Sequence, residues 1–259
     1  MSKYWFKDYR LLTFDEIDST NSEAIRIAKS GMTGNCVILA KKQTAGRGRN
    51  NKHWHSDHGN LYFSLLLDTN IAVEMQPQLS LLTGLAVYNS VKFFATKLFP
   101  KLDCKLKWPN DVLLGNKKLS GILLESINMP IKKDLNSQPN EANFLIIGVG
   151  INVTMSPMNI DRETTNLLQE GIVITDPSRL LFIFMNYFDL LFTKWQNAGF
   201  LSFKDDWLKK AYKLNQQVVI NGENKISGIF HSIDNIGRFQ ARLPTGETVT
   251  LSEAEIIYE

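Results

Sequence analysis

Gly46, Arg47, Gly48 and Arg49 carry the clearest chemical signal in this chain. They lie between two apolar runs, residues 36–40 and 61–67, that have the length and composition of strands. The polar stretch from Gln43 to Ser56 has too little apolar surface to bury, which makes it a surface loop. Its glycines let backbone approach a ligand, and its arginines hold fixed positive charge beside that approach. A phosphate or carboxylate suits such a loop. Taken alone, the loop fits a solvated basic turn or a nucleic-acid patch equally well.

Two further turns have similar character: residues 107–118, with Lys107, Lys117 and Lys118, and Gly148-Val149-Gly150-Ile151-Asn152. Each ends a predicted strand, where a sheet can gather such turns around one pocket. Singly they are weak, since a lysine here also reads as a solvated turn and Asn152 as a strand-end cap. Ser19, Thr20 and Asn21 open a helix after a strand, and capping alone accounts for them locally. A helix N-terminus is also where polar ligands bind, so the two roles are compatible. Other chemistries are set aside: there is no G-x-S-x-G elbow and no G-x-x-x-x-G-K-[ST] cradle. His53, His55 and His58 are close in sequence, but no second cluster completes four ligands, so they read as loop residues and no metal site is expected.

The elements that must position these groups follow from periodicity. A first strand spans residues 10–17, and Thr20 with Glu23 three residues later reads as a capping box for a helix that stops near Gly31. Apolar spacing over residues 79–98, after Pro77 and before Pro100, predicts an amphipathic helix. Gly115-Asn116 between short apolar runs signals a tight hairpin. Residues 131–142 read as a flexible loop and 143–153 as a buried strand, whose Gly148 and Gly150 mark a bulge or a point where a ligand approaches the backbone. Residues 160–174 form an irregular connection. Asp176-Pro177 caps a helix running to Gly199, and a shorter helix spans 203–211. From residue 217 the pattern changes to short strands, 218–220, 225–233, 238–243 and 247–251, with turns at Asn221-Gly222, Asn235 with Gly237, and Thr245-Gly246. The expected fold is α+β, a mixed sheet with flanking helices over residues 1–212, plus a small β-barrel of SH3-like size over 213–259.

Composition sets the outer bounds. The chain has 259 residues, 44% hydrophobic and 21% charged, with a net charge of +3 that neither demands nor excludes a nucleic-acid partner. Cys36 and Cys104 lie far apart without C-x-x-C spacing and read as reduced thiols. There is no apolar stretch of signal-peptide length near Met1, and residues 180–192 are too short and too interrupted by Asn186 and Asp189 to span a bilayer. A cytoplasmic protein without membrane association is expected.

Taken in order, five stretches resemble the biotin protein ligases. They are Asp18-Ser19-Thr20-Asn21; Gln43 to Arg49 with Trp54 and Ser56; Lys107-Trp108-Pro109-Asn110-Asp111; Lys118-Leu119-Ser120-Gly121-Ile122-Leu123, then Leu124 and Glu125; and Gly148 to Asn152. The resemblance runs from about Leu11 to the C-terminus and implies a sheet of the class II aminoacyl-tRNA synthetase and biotin ligase type. It implies two steps, in which biotin and Mg-ATP form biotinyl-5′-adenylate and pyrophosphate, and a lysine of a biotin carboxyl carrier domain then takes the biotinyl group and releases AMP. The implied biotin-binding residues are Ser19, Thr20, Asn21, Gln43, Gly46, Arg47, Gly48, Arg49, Lys118 and Gly121. On the nucleotide side stand Arg49, Trp54, Asn110, Lys118 and Asn152, and the catalytic charge falls to Lys118, Arg47 and Arg49. Two anions must meet, so such a site needs positive charge more than an acid or base. The loop would fold over the adenylate and exclude water. With Lys118 on a polar turn, alanine there is expected to reduce adenylate formation severely and leave the fold intact.

The family's loop often continues Arg-x-Gly-Arg-x-Trp, whereas this chain has Asn50-Asn51-Lys52-His53-Trp54; asparagine tolerates positive φ, so the turn survives with one charge fewer. Some bacterial members carry a winged helix-turn-helix domain ahead of the catalytic one. Here the pattern starts within the first twenty residues, so a single-function ligase without DNA binding is expected, with a homodimer compatible. The nearest alternative is a ligase of the same fold acting on lipoate or another acyl group.

Overall fold

The structure, a computed structural model, describes residues 4–69, 71–95, 102–131, 140–157, 163–221, 225–252 and 255–258. Its main sheet has eight strands: β1 (Tyr4–Phe6), β2 (Tyr9–Phe14), β3 (Asn35–Ala40), β4 (Leu61–Asp68), β5 (Cys104–Lys107), β6 (Asp111–Leu114), β7 (Lys117–Ile131) and β8 (Asn140–Ile151). They lie in the order β1-β2-β3-β4-β8-β7-β6-β5. The β2–β3 pair is parallel, and the other pairs are antiparallel, so the sheet is mixed as expected.

The parallel pair needs a crossover, which α1 (Thr20–Lys29) supplies across one face of the sheet. Ala24, Ile27 and Ala28 pack there on Cys36, Ile38, Leu66, Phe144 and Ile146. The alternate residues Leu61, Phe63, Leu65 and Leu67 of β4, and Leu145, Ile147, Val149 and Ile151 of β8, face the larger core on the other side. That core is built with α2 (Gln76–Ala95), α3 (Pro177–Ala198) and α4 (Leu201–Leu208). The amphipathic expectation for α2 fails. Held between the sheet, α3 and α4, it buries Gln78, Thr83 and Ser90 together with its leucines. The two hydroxyls bond back to Leu79 and Ala86 carbonyls, and Gln78 Oε1 accepts from Trp195 Nε1 at 2.6 Å. The expected end of this helix, Leu98 and Pro100, lies outside the described residues.

Other boundaries shift for local reasons. The cap of α1 is Ser19, whose Oγ accepts from the Ser22 amide, not Thr20. Gly115 and Asn116 both take positive φ in the β6–β7 hairpin, as its two-residue loop requires. The loop expected over residues 131–142 is shorter, because β7 and β8 stay in register to Ile131 opposite Asn140; residues 132–139 lie outside the described set. Asp176 caps α3 with Pro177 in its first turn, and Gly199 ends it at positive φ.

The C-terminal strands are β9 (Gln217–Asn221), β10 (Ile226–Ile233), β11 (Phe239–Arg242), β12 (Thr248–Leu251) and β13 (Glu255–Tyr258). Gly222 of the expected Asn221-Gly222 turn lies outside the described residues. The order is β12-β11-β10-β9-β13, antiparallel throughout and open between β12 and β13, so the strands form a sheet that does not close into the expected barrel. This sheet does not hang free. Trp108 Nε1 donates to the Gly237 carbonyl at 3.0 Å, its ring lies 5.3 Å from that of Phe239, and Leu106 bonds through its amide and carbonyl to Lys210 and Tyr212.

Candidate ligand site

Along the α1 face, strand residues change character past the helix N-terminus. On β8 the inward positions run Phe144, Ile146, Gly148, Gly150; on β4 they run Leu66, Ser64, Tyr62; on β7 they run Ile127, Glu125, Leu123, Gly121. Gly148 stands opposite Ser64 and Leu123, and Gly150 opposite Tyr62 and Gly121. Where α1 ends, bulky apolar side chains give way to glycine and serine, and a cavity of about 870 Å³ opens. That is ample for a drug-sized ligand.

The loop of residues 43–56 closes one side as a hairpin. Trp54 donates to the Gly46 carbonyl at 2.9 Å and Gly48 to the Lys52 carbonyl at 2.7 Å, with Arg49-Asn50-Asn51 at the tip. Asn50 and Asn51 sit at φ of 54° and 55°, the conformation that asparagine bears best among non-glycine residues. Beneath it, Trp54 lies on the glycine floor. A Cβ at Gly150 would collide with the indole, and one at Gly121 would stand 2.9 Å from Cζ3. A Cβ at Gly148 would collide with the Asn21 amide. The strand glycines therefore mark close approach and not a bulge, since β8 keeps its register through both, and what approaches are the chain's own Asn21 and Trp54.

At the α1 end, uncharged polar groups form a belt. Gln43 Oε1 accepts from the Thr20 amide at 2.8 Å and from Thr20 Oγ1 at 3.1 Å, and Gln43 Nε2 donates to Ser56 Oγ at 2.9 Å. Ser64 Oγ lies 2.8 Å from Thr20 Oγ1 and 2.5 Å from Asn21 Oδ1. Because Ser19 takes the cap, Thr20 is released to face the cavity. At the other end, Lys118 Nζ pairs with Asp111 Oδ1 at 2.7 Å, with side chains 14% and 8% exposed, and stands 5.2 Å from the centre of the Trp54 ring. Lys118 is thus a partly buried strand residue of β7 and not the polar turn that was expected. Asn110 Nδ2 donates to the Ile122 carbonyl and Asn152 Nδ2 to the Thr165 carbonyl, so both amides also brace the walls.

Ser19, Thr20, Asn21, Gln43, Arg47, Gly48, Arg49, Trp54, Asn110, Lys118, Gly121 and Asn152 all line this one cavity. Gly46 does not; it lies under the hairpin, where a Cβ would be 2.5 Å from the Trp54 carbonyl oxygen and 2.6 Å from Ser56 Oγ. His53 and His55 stack edge to face in the cavity wall, their rings 4.7 Å apart. Among the described residues no three His, Cys, Asp or Glu side chains are grouped to hold a metal. Sequence reasoning passed over Ser64, Glu125 and Ile256. Ser64 had a signal, as a lone polar residue inside the apolar run Tyr62 to Leu67. Ile256, on the unexpected β13, lines the cavity from the C-terminal sheet. Beside it the Lys107 ammonium lies 4.8 Å over the Tyr258 ring, and burial, with Asp111 near, pushes the Tyr258 hydroxyl well above its usual pKa.

Similarity to known proteins agrees with this geometry. Over 93% of its length the chain is 31% identical to the biotin–[acetyl-CoA-carboxylase] ligase of Paracoccus denitrificans, covering 97% of that protein. It is also 31% identical to the enzyme of the same name from Mycobacterium tuberculosis, covering 93% of this chain and 85% of that one. The structure of the Aquifex aeolicus biotin protein ligase with biotin and ATP superposes with a TM-score of 0.78 at 28% identity, covering 98% of this chain and all of that one. Residues 13–152, which hold β3 through β8 and nearly the whole cavity wall, match the Biotin/lipoate A/B protein ligase family, and the chain is a member of that family.

Proposed function

We propose that this chain is a biotin protein ligase. The observation that carries the reading is the polarity of one cavity, a belt of uncharged donors and acceptors at the α1 end and a partly buried lysine at the other. A neutral ureido ring needs partners for one carbonyl and two N–H groups, which Thr20, Asn21, Gln43 and Ser64 can supply by exchanging their mutual bonds. In the first step a biotin carboxylate oxygen attacks the α-phosphorus of Mg-ATP, the bond to the β-phosphate oxygen breaks, and pyrophosphate leaves. Lys118 and Arg49 would offset the charge of the two anions, with the ammonium acting as a compact point charge. In the second step a neutral lysine amine of a biotin carboxyl carrier domain attacks the acyl carbon, AMP departs and the amine loses its proton. Asn110, Trp54 and Asn152 would bound the nucleotide, and the hairpin would keep water from the mixed anhydride.

Around this site we read residues 1–212 as the catalytic unit and 213–259 as an SH3-like unit, a reading supported by the five antiparallel strands of the latter. No helix among the described residues is long and apolar enough to cross a membrane, and we read the enzyme as cytoplasmic. The test is incubation with biotin, Mg-ATP and a carrier domain. The acceptor should gain the mass of one biotinyl group, and pyrophosphate release should depend on biotin. Release with lipoate and not with biotin would transfer the assignment to the lipoate branch of the family.

A further inference from the structure

Glu125 places a carboxylate on the cavity face of β7, beside a site read above as serving two anions. Arg47 balances that charge. Its Nη2 donates to both Glu125 oxygens, at 3.1 and 3.0 Å, and its Nη1 to Ser22 Oγ at 2.5 Å in the first turn of α1. The guanidinium that was expected to face the ligands is therefore engaged by the protein, and its charge-assisted contacts through two nitrogens, to Glu125 and to Ser22, fix the direction from which the hairpin strand arrives. The carboxylate has a second duty, since its Oε2 accepts from Asn21 Nδ2 at 2.7 Å, and the Asn21 Oδ1 meets Ser64. An unbroken set of polar contacts thus joins the hairpin to the uncharged belt.

We infer that Glu125 is a positioning residue that clamps the hairpin of residues 46–54 over the cavity through Arg47, while setting the amide of Asn21 for the head group. The part about the head group rests on the biotin ligase reading, whereas the clamp itself does not. Arg47 thereby becomes a structural strap. Glu125→Gln keeps the shape and an acceptor for Asn21 but removes the charge that holds the guanidinium.

The test follows hydrogen exchange at the Gly48 and Trp54 amides, which bond across the hairpin, in ligand-free protein. Glu125→Gln and Arg47→Gln should each speed that exchange about five- to tenfold, and the double variant no further, because both remove the same interaction. Exchange in the core strand β4 should stay at the wild-type rate. After loading with biotin and Mg-ATP, Glu125→Gln should release the adenylate faster by a similar factor. Wild-type exchange at both amides in Glu125→Gln, or additive effects in the double variant, would overturn the clamp whatever the wild type does with biotin. A loosened hairpin in a protein whose wild type never turns over biotin would keep the clamp and overturn the functional reading.

Discussion

Lys118 combines two jobs that a single substitution confounds. Its ammonium is a counter-charge of Asp111, whose side chain is 8% exposed, and in the proposed reaction it is the charge that meets the two anions. Removing the ion-pair partner of a buried carboxylate costs up to roughly 3–5 kcal/mol. Lys118→Ala should therefore abolish biotin-dependent pyrophosphate release and also lower the melting temperature. Adding Asp111→Asn removes the carboxylate charge that Lys118 balances, so the double variant should recover most of the lost stability and none of the activity. Recovered turnover in that double variant would take Lys118 out of the chemistry. At this scale the motif residues converge on one cavity, with surroundings for some of them that the motifs did not foretell. Arg47 and Lys118 were both read as charges offered to a ligand, and no local pattern announces partners 78 and 7 positions away, such as Glu125 and Asp111.

At the scale of elements, the start of α1 shows where periodicity resolves and where it does not. Ser19 and Thr20 are both good caps, and only the packed structure decides between them. The choice matters because it frees Thr20 for Gln43 and Ser64. Sequence patterning was legible in β3, β4 and β8 as near-continuous apolar runs, because the sheet is covered on both faces there. It failed for β13, whose four residues follow no turn signal, and for the amphipathic reading of α2, which is enclosed on most sides. The same helix start offers a pH test. Two hydrogen bonds from Arg26, at 2.9 and 2.7 Å, lower the Asp18 carboxyl from 3.8 to about 2. A depressed carboxylate pKa adds stability that is present above the unfolded value and lost as pH falls through the folded one. Both side chains are nearly half exposed, so solvent screening keeps the contribution under about 1 kcal/mol. The stability gap between wild type and Asp18→Asn, measured by urea unfolding, should hold steady above pH 4 and vanish toward pH 2. A gap that widened on acidification would contradict this assignment.

At the scale of the molecule, the open C-terminal sheet is bound to the catalytic sheet through the same turn that borders the cavity. Trp108 follows Lys107 of β5, buries its ring against Phe239 and donates to the Gly237 carbonyl. One apolar core runs without a break from Leu106 and Trp108 through Trp207 to Phe230 and Phe239. Separate domains joined by a linker would unfold in two steps, but a shared core couples them. The protein should therefore melt in a single transition whose calorimetric and van't Hoff enthalpies agree, despite the change in strand pattern after residue 212. Trp108→Phe keeps an aromatic ring on Phe239 while leaving a buried carbonyl without its donor, at a cost of about 1–3 kcal/mol. That loss should lower the one transition as a whole. If the C-terminal sheet instead unfolded ahead of the rest, near-ultraviolet circular dichroism would show two steps. The cavity would then lose its Ile256 wall at the first of them, and adenylate retention would fall with it.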